Sequence, residues 1–189
     1  MSRKLERDDT TLVVIDVQEG FRKAVPGFDR VARAVATLVA GAEVLGVPVV
    51  TTEQYPKGLG TTAPEVAEYL PTGTEPIEKV VFSAAQADGF DLSRRAQALV
   101  CGIESHVCVS QTALDLLEDG IEVHVPIDAV GSRTDENMLV GLRRMERAGA
   151  VETSVEAALF ELLGRAGTEE FKAIQRLILD YAPNPEVVG

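Results

Sequence analysis

The feature that most restricts the fold of this chain is an alternation repeated along most of its length. Short apolar, β-branched runs are followed by longer segments of helical period. "TLVVIDV" (11–17), "VPVVTTE" (47–53), "KVVFSA" (79–84), "QALVCGIE" (97–104), "IEVHVPID" (121–128) and "AVETS" (150–154) read as strands. The most apolar of them suit burial on both faces of a sheet. "FDRVARAVATLVAGAEVLG" (28–46), "HVCVSQTALDLLEDG" (106–120) and "DENMLVGLRRMERAG" (135–149) read as helices ended by glycine. "VEAALFELL" and "EEFKAIQRLILDYA" read as terminal helices. This order predicts βαβ units: an α/β fold of three layers, α/β/α, with a mostly parallel Rossmann-like sheet of about six strands and helices on both faces. No repeat, low-complexity tract or linker interrupts residues 1–189, so a single domain is expected.

One connection breaks the rhythm. Residues 54–78, "QYPKGLGTTAPEVAEYLPTGTEPIE", are rich in Gly, Pro and Thr. A link this long in a compact domain is either functional or disordered. "PEVAEYL" within it has room for a short helix.

Composition narrows the function. A chain of 189 residues, 46% hydrophobic, can bury a core without staples. No apolar run reaches the length of a membrane span, and "MSRKLERDDTT" lacks the apolar stretch of a secretory signal. Two cysteines do not make a disulfide framework, so a reducing, cytoplasmic location is expected. The net charge of −12 argues against nucleic acid and anionic membranes as partners, because both would repel it. Beyond that, the charge favours solubility and says little else.

In open α/β sheets, ligands bind outside the carboxyl ends of the strands. The apolar runs end in Asp16, Glu53, Glu104 and Asp128. Each carboxylate has a plain role available as a helix cap. Asp16 is the better functional candidate, since the run before it is wholly apolar and no helix begins at once. Cys101 lies inside an apolar strand and reads as an inert core thiol. Cys108 lies where a helix begins, with Ser105 as a plausible N-cap. There, free N–H groups and the helix dipole would lower a thiol's pKa and favour the nucleophilic thiolate. Packing of a strand–helix turn is the competing account, and the residues alone leave the two open. His106 and His124 form no paired ligand motif, and Cys-x6-Cys is no zinc signature. The first strand is followed by neither a Walker loop nor G-x-G-x-x-G. No metal and no cofactor is expected.

"LVVIDVQEGFR", "TEQYPKGLG", "EKVVFS" and "GIESHVCVSQTALDLLEDGIEVHVPIDAVGSR" together resemble the isochorismatase-like cysteine hydrolases, in order and across nearly the whole chain. The likeness is greatest to the branch carrying the "TEQYPKGLG" loop, many of whose members have no settled substrate. The resemblance implies a catalytic aspartate at Asp16, a catalytic lysine at Lys79 and a nucleophile at Cys108. It also implies a non-proline cis peptide at Ile103–Glu104 and an oxyanion hole from the N–H groups of Glu104 and Cys108. In that mechanism Asp16 takes the thiol proton and later gives it to the leaving amine, while Lys79 keeps Asp16 ionised and favours thiolate. Gln18, Phe21, Gln54, Tyr55 and Ser83 are the candidate substrate contacts. Family members often form dimers or larger assemblies, so a homo-oligomer is expected. The Asp-x-His metal element of nicotinamidases is absent, and isochorismate-cleaving members lack the cysteine present here. An amidase-like cysteine hydrolase acting on an unknown small-molecule substrate is therefore the expected function. A thiol redox or scavenging protein using Cys108, and a non-catalytic oligomeric scaffold, are the alternatives. The lack of a nearby resolving thiol counts against the first, and the intact Asp16, Lys79 and Cys108 set against the second.

Overall fold

The computed structural model describes residues 4–181. Seven strands form one sheet: β1 (Thr10–Ile15), β2 (Val49–Gln54), β3 (Ile77–Lys79), β4 (Gln97–Ile103), β5 (Glu122–Pro126), β6 (Val130–Gly131) and β7 (Val151–Thr153). Their order is β3-β2-β1-β4-β5-β7, with β6 paired only to β4, and every pairing is parallel. The expected parallel α/β architecture is present. The strand beyond the expected six is β6, and two residues carry no periodic signal.

Helices α1 (Phe28–Leu45), α2 (Pro56–Leu59), α3 (Pro64–Ala67), α4 (Ser110–Glu118), α5 (Asp135–Ala148), α6 (Val155–Leu163) and α7 (Glu169–Tyr181) connect and cover the strands. Ala182, with which the expected last helix ends, lies outside the described residues. The 54–78 connection is ordered by α2 and α3, the latter within the expected "PEVAEYL".

Alternate residues of a strand face opposite sides of a sheet. Leu12, Val14, Leu99 and Cys101 accordingly pack with α1, α6 and α7, while Val13, Ile15, Ala98 and Val100 pack with α4 and α5. Every residue of β1 and β4 is buried. Chain connections leave β1 toward β2 on one side and β4 toward β5 on the other. The crevice beyond the carboxyl ends of β1 and β4 is thus the topological switch point, where such sheets bind ligands.

The third strand differs from expectation. It ends at Lys79 instead of running from Lys79 to Ala84. Past Lys79 the carbonyls no longer serve a ladder. That of Val80 accepts from the Gln54 amide, and those of Val81 and Phe82 accept from the Lys79 ammonium.

Candidate active site

Asp16 follows β1 at the switch point and is fully buried. Its φ of 51° turns the chain out of the strand, a conformation Asp tolerates better than most residues. The Asp16 N–H donates to the Thr52 carbonyl at 3.2 Å, and the Thr52 hydroxyl donates to Asp16 Oδ1 at 2.7 Å. Lys79 Nζ donates to Asp16 Oδ2 at 2.7 Å. Neither side chain of this ion pair has solvent-exposed area. Lys79 reaches Asp16 from two strands away, a span of about 9–10 Å at ordinary strand spacing, so a long cation is required. Gln54, on the strand between, accepts from Nζ at 2.8 Å and fixes its path.

Cys108 is 4% exposed and lies in a π-helical turn, Ser105–Val109, that leads into α4. Such wide turns recur at functional sites. Thr112 donates to the Cys108 carbonyl at 2.7 Å and accepts from the Ala84 N–H at 2.8 Å, tying the turn to the segment after Lys79. Gly141 of α5 lies against this turn. A Cβ there would stand 2.5 Å from the Ser105 carbonyl oxygen.

The expected lowering of the Cys108 pKa is not what this environment produces. Burial, and then the negative charge of Asp16, push the thiol up to about 12, and the nearby Lys79 offsets them only in part. The resting sulfur is therefore a neutral thiol at ordinary pH. The first-turn argument counted the helix dipole and omitted desolvation, which is the larger effect at a buried site. Ser105 is also no cap, since its hydroxyl donates to the Met138 carbonyl. Cys101, wholly buried, has its pKa raised by burial alone, as suits a core thiol.

The four strand-end carboxylates part company. Glu53 accepts from the Thr62 N–H and hydroxyl at 2.6 and 2.7 Å. Asp128 accepts from the Val155 N–H at the start of α6 and from the Tyr181 hydroxyl. Glu104 is bonded by the Arg133 backbone N–H at 3.0 Å and by its guanidinium at 3.0 and 2.7 Å. Burial raises the Glu104 pKa, and the bonds from Arg133 outweigh it and hold the carboxyl below its ordinary value. Asp16 is the member of the four paired with Lys79. The Ile103–Glu104 peptide is cis.

Among the other candidates, Gln54 joins the site through Lys79. Tyr55 stands at the rim, 55% exposed. It borders a cleft of about 260 Å³ with Lys57, Lys79 and Val80. Ser83 is buried and its hydroxyl has no partner among the described residues. Gln18 is used as a strut. Its amide donates to the Gln54 and Gly60 carbonyls and accepts from the Gln54 N–H, pinning the loop after β2. Phe21 packs against the α1 face of the core. His106 pairs with Ser132, and His124 with Glu122. Sequence reasoning passed over Thr52, Thr112 and Arg133. Nothing in "VVTTE" distinguishes Thr52 from strand filler, and only the β1–β2 register, Ile15 beside Thr52, aims its hydroxyl at Asp16.

Sheet order places the molecule among the doubly wound α/β proteins, and a buried acid, ammonium and thiol lie at its switch point. A family model of the isochorismatase domain matches residues 10–157, and the chain belongs to the isochorismatase family. Human isochorismatase domain-containing protein 2 is 39% identical over 183 residues, spanning 95% of this chain and 88% of its own length. The solved MAR1 ribonuclease of Caenorhabditis elegans is 37% identical with a TM-score of 0.89, over 98% of this chain and 97% of that one. YcaC of Pseudomonas aeruginosa, solved with hexane-2,5-diol and covalent acrylamide, is 25% identical with a TM-score of 0.83, over 96% and 95% of the two chains.

Proposed function

We propose that this protein is a cysteine hydrolase that cleaves the C–N bond of a small amide-like substrate. The observation that carries the proposal is the solvent-free Asp16–Lys79 pair at 2.7 Å, whose two charges both act on the Cys108 thiol. Asp16 removes the proton from sulfur as sulfur bonds to the substrate carbonyl carbon. The C–N bond then breaks, the amine leaves with that proton, and a thioester remains on Cys108. Water, deprotonated by Asp16, releases the acid and restores the thiol. The N–H groups of Glu104 and Cys108 are the proposed donors to the tetrahedral oxyanion, an effect worth about 3–4 kcal/mol per donor. Lys79 is the fixed cation that balances Asp16 while the proton is on sulfur. The covalent acrylamide of the YcaC relative supports a reactive nucleophile in this fold. The name ribonuclease belongs to the worm relative, and here a net charge of −12 disfavours a phosphate backbone.

A panel of primary amides, hydroxamates and nitriles, with Cys108→Ala as the paired variant, tests this. Turnover by the wild type is expected to fall by about three orders of magnitude or more in the variant. Activity surviving the substitution sinks the covalent route. Because the resting thiol is neutral and its base is built in, alkylation of Cys108 by iodoacetamide is expected to be flat between about pH 6 and 8. A free thiol accelerates about tenfold per pH unit over that range.

We also propose that the protein works as a homo-oligomer. Val80, which lines a cleft with Tyr55 and Lys79, is 76% exposed and Phe82 52%, apolar surface that water covers at a cost. Native mass spectrometry is expected to give a multiple of the 20.2 kDa chain, with Phe82→Asp shifted toward smaller species. A wild type that flies as single chains at micromolar concentration rules the assembly out.

A further inference from the structure

We propose that Thr52 is a positioning residue whose hydroxyl holds Asp16 as an oriented, ionised carboxylate, so that one oxygen is occupied and the other is left to Lys79. The inference rests on the hydrolase reading for its catalytic meaning, but its physical claim concerns Asp16 alone.

Two bonds join the residues reciprocally. The Asp16 N–H donates to the Thr52 carbonyl, and the Thr52 hydroxyl donates to Oδ1 at 2.7 Å. Both residues are wholly buried, so bulk water does not compete for either bond. A carboxylate with only one donor could rotate about its Cβ–Cγ bond. Held at Oδ1 by Thr52 and at Oδ2 by Lys79, it cannot do so without breaking a bond. A donor to the charged form favours that form over the acid. The same bond therefore orients Asp16 and keeps it ready to receive a proton.

Titratable groups around Asp16 leave Thr52 this role. From β3 comes Lys79, and from the π turn Cys108. Glu53, the neighbour of Thr52 on β2, faces the other side of the sheet and is bound by Thr62. Glu104 after β4 is bound by Arg133, and His106 by Ser132. Thr52 is thus a neutral donor fixed on Oδ1, beside the Lys79 ammonium and the Cys108 thiol that also face the carboxylate.

The full chain labelled with 13C at the aspartate carboxyl carbons, with Asp16 assigned by loss of its resonance in Asp16→Asn, tests the claim by pH titration. In Thr52→Val the midpoint of the Asp16 resonance is expected about one pH unit or more above the wild type's. Thr52→Ser, which keeps the hydroxyl, is expected to titrate as the wild type does. Thr52→Ala removes the hydroxyl without placing a methyl on the carboxylate, and carries the same expectation as Thr52→Val. A merely structural role would lower stability without moving the midpoint. Equal midpoints in all variants, including no titration in any of them before acid unfolding, overturn the proposal. Failure of Cys108 to alkylate in every variant would count against the hydrolase reading and leave this result standing on its own.

Discussion

Lys79→Met is expected to lower the free energy of unfolding by about 3–5 kcal/mol, read as a shifted urea midpoint at unchanged slope. Methionine matches the lysine's apolar stem and lacks only the terminal ammonium, so packing is not what is mainly lost. What is lost is the ammonium, which bonds Asp16 Oδ2 at 2.7 Å in a place without solvent exposure on either side. Asp16 would then keep its Thr52 donor and carry an uncompensated charge in a dry crevice. A carboxylate left in that state either takes up a proton or destabilises the fold, and in the proposed mechanism both also remove the base for Cys108. The carbonyls of Val81 and Phe82 would lose their donor as well, freeing the segment beyond β3. Asp16→Asn combined with Lys79→Met is expected to be less damaging than the sum of the two alone, because the second change removes the charge stranded by the first. A loss under 1 kcal/mol for Lys79→Met would mean that water reaches the pair.

Gly102→Ala is expected to be worse, with a loss of more than about 3 kcal/mol or no folded protein. Gly102 in β4 has a φ of 118°, and a Cβ there would lie 2.0 Å from the carbonyl oxygen of Ile15, with the Ile15 carbon and nitrogen both at 2.8 Å. These are backbone atoms of the central strand, paired on both sides, and they cannot yield as a side chain would. The residue after Ile15 is Asp16, so any relief of the clash displaces the acid. Where protein can be recovered, Cys108 alkylation at neutral pH is expected to fall to the rate of a buried, unassisted thiol. Gly120→Ala separates conformational strain from collision. Its φ is 82° with nothing within 4 Å of a new Cβ, and it is expected to cost only about 1–2 kcal/mol with alkylation unchanged. Similar losses for the two variants would place the penalty in φ alone and not in contact with β1.

Much of the fold was legible because hydrophobic period is a local property. Runs such as "TLVVI" and "ALVCGI" announce doubly buried strands without reference to anything distant, and Gly46, Gly120 and Gly149 mark where helices stop. "KVVFSA" misled for the same reason. Its composition is that of a strand, but the carbonyls of Val80, Val81 and Phe82 are taken by the side chains of Gln54 and Lys79, and no local pattern records that. At the site, Asp16, Lys79 and Cys108 could be named from the resemblance of their surroundings to a family. The state of the thiol could not be read in the same way. A position in the first turn suggested a lowered pKa, while the burial that raises it comes from elements far off in the chain.

The sequence by itself determined the parallel α/β architecture, the family, and the residue types available at the carboxyl edge of the sheet. The tertiary structure alone decided what binds the other three strand-end carboxylates, that Gln18 braces a loop, and that Thr52 faces Asp16. The physical reason is that strand and helix period are written within a few consecutive residues, whereas pairing a charge and excluding water depend on sheet register. Register brings residue 16 beside 52 and within reach of 79, and no stretch of the chain contains that information on its own.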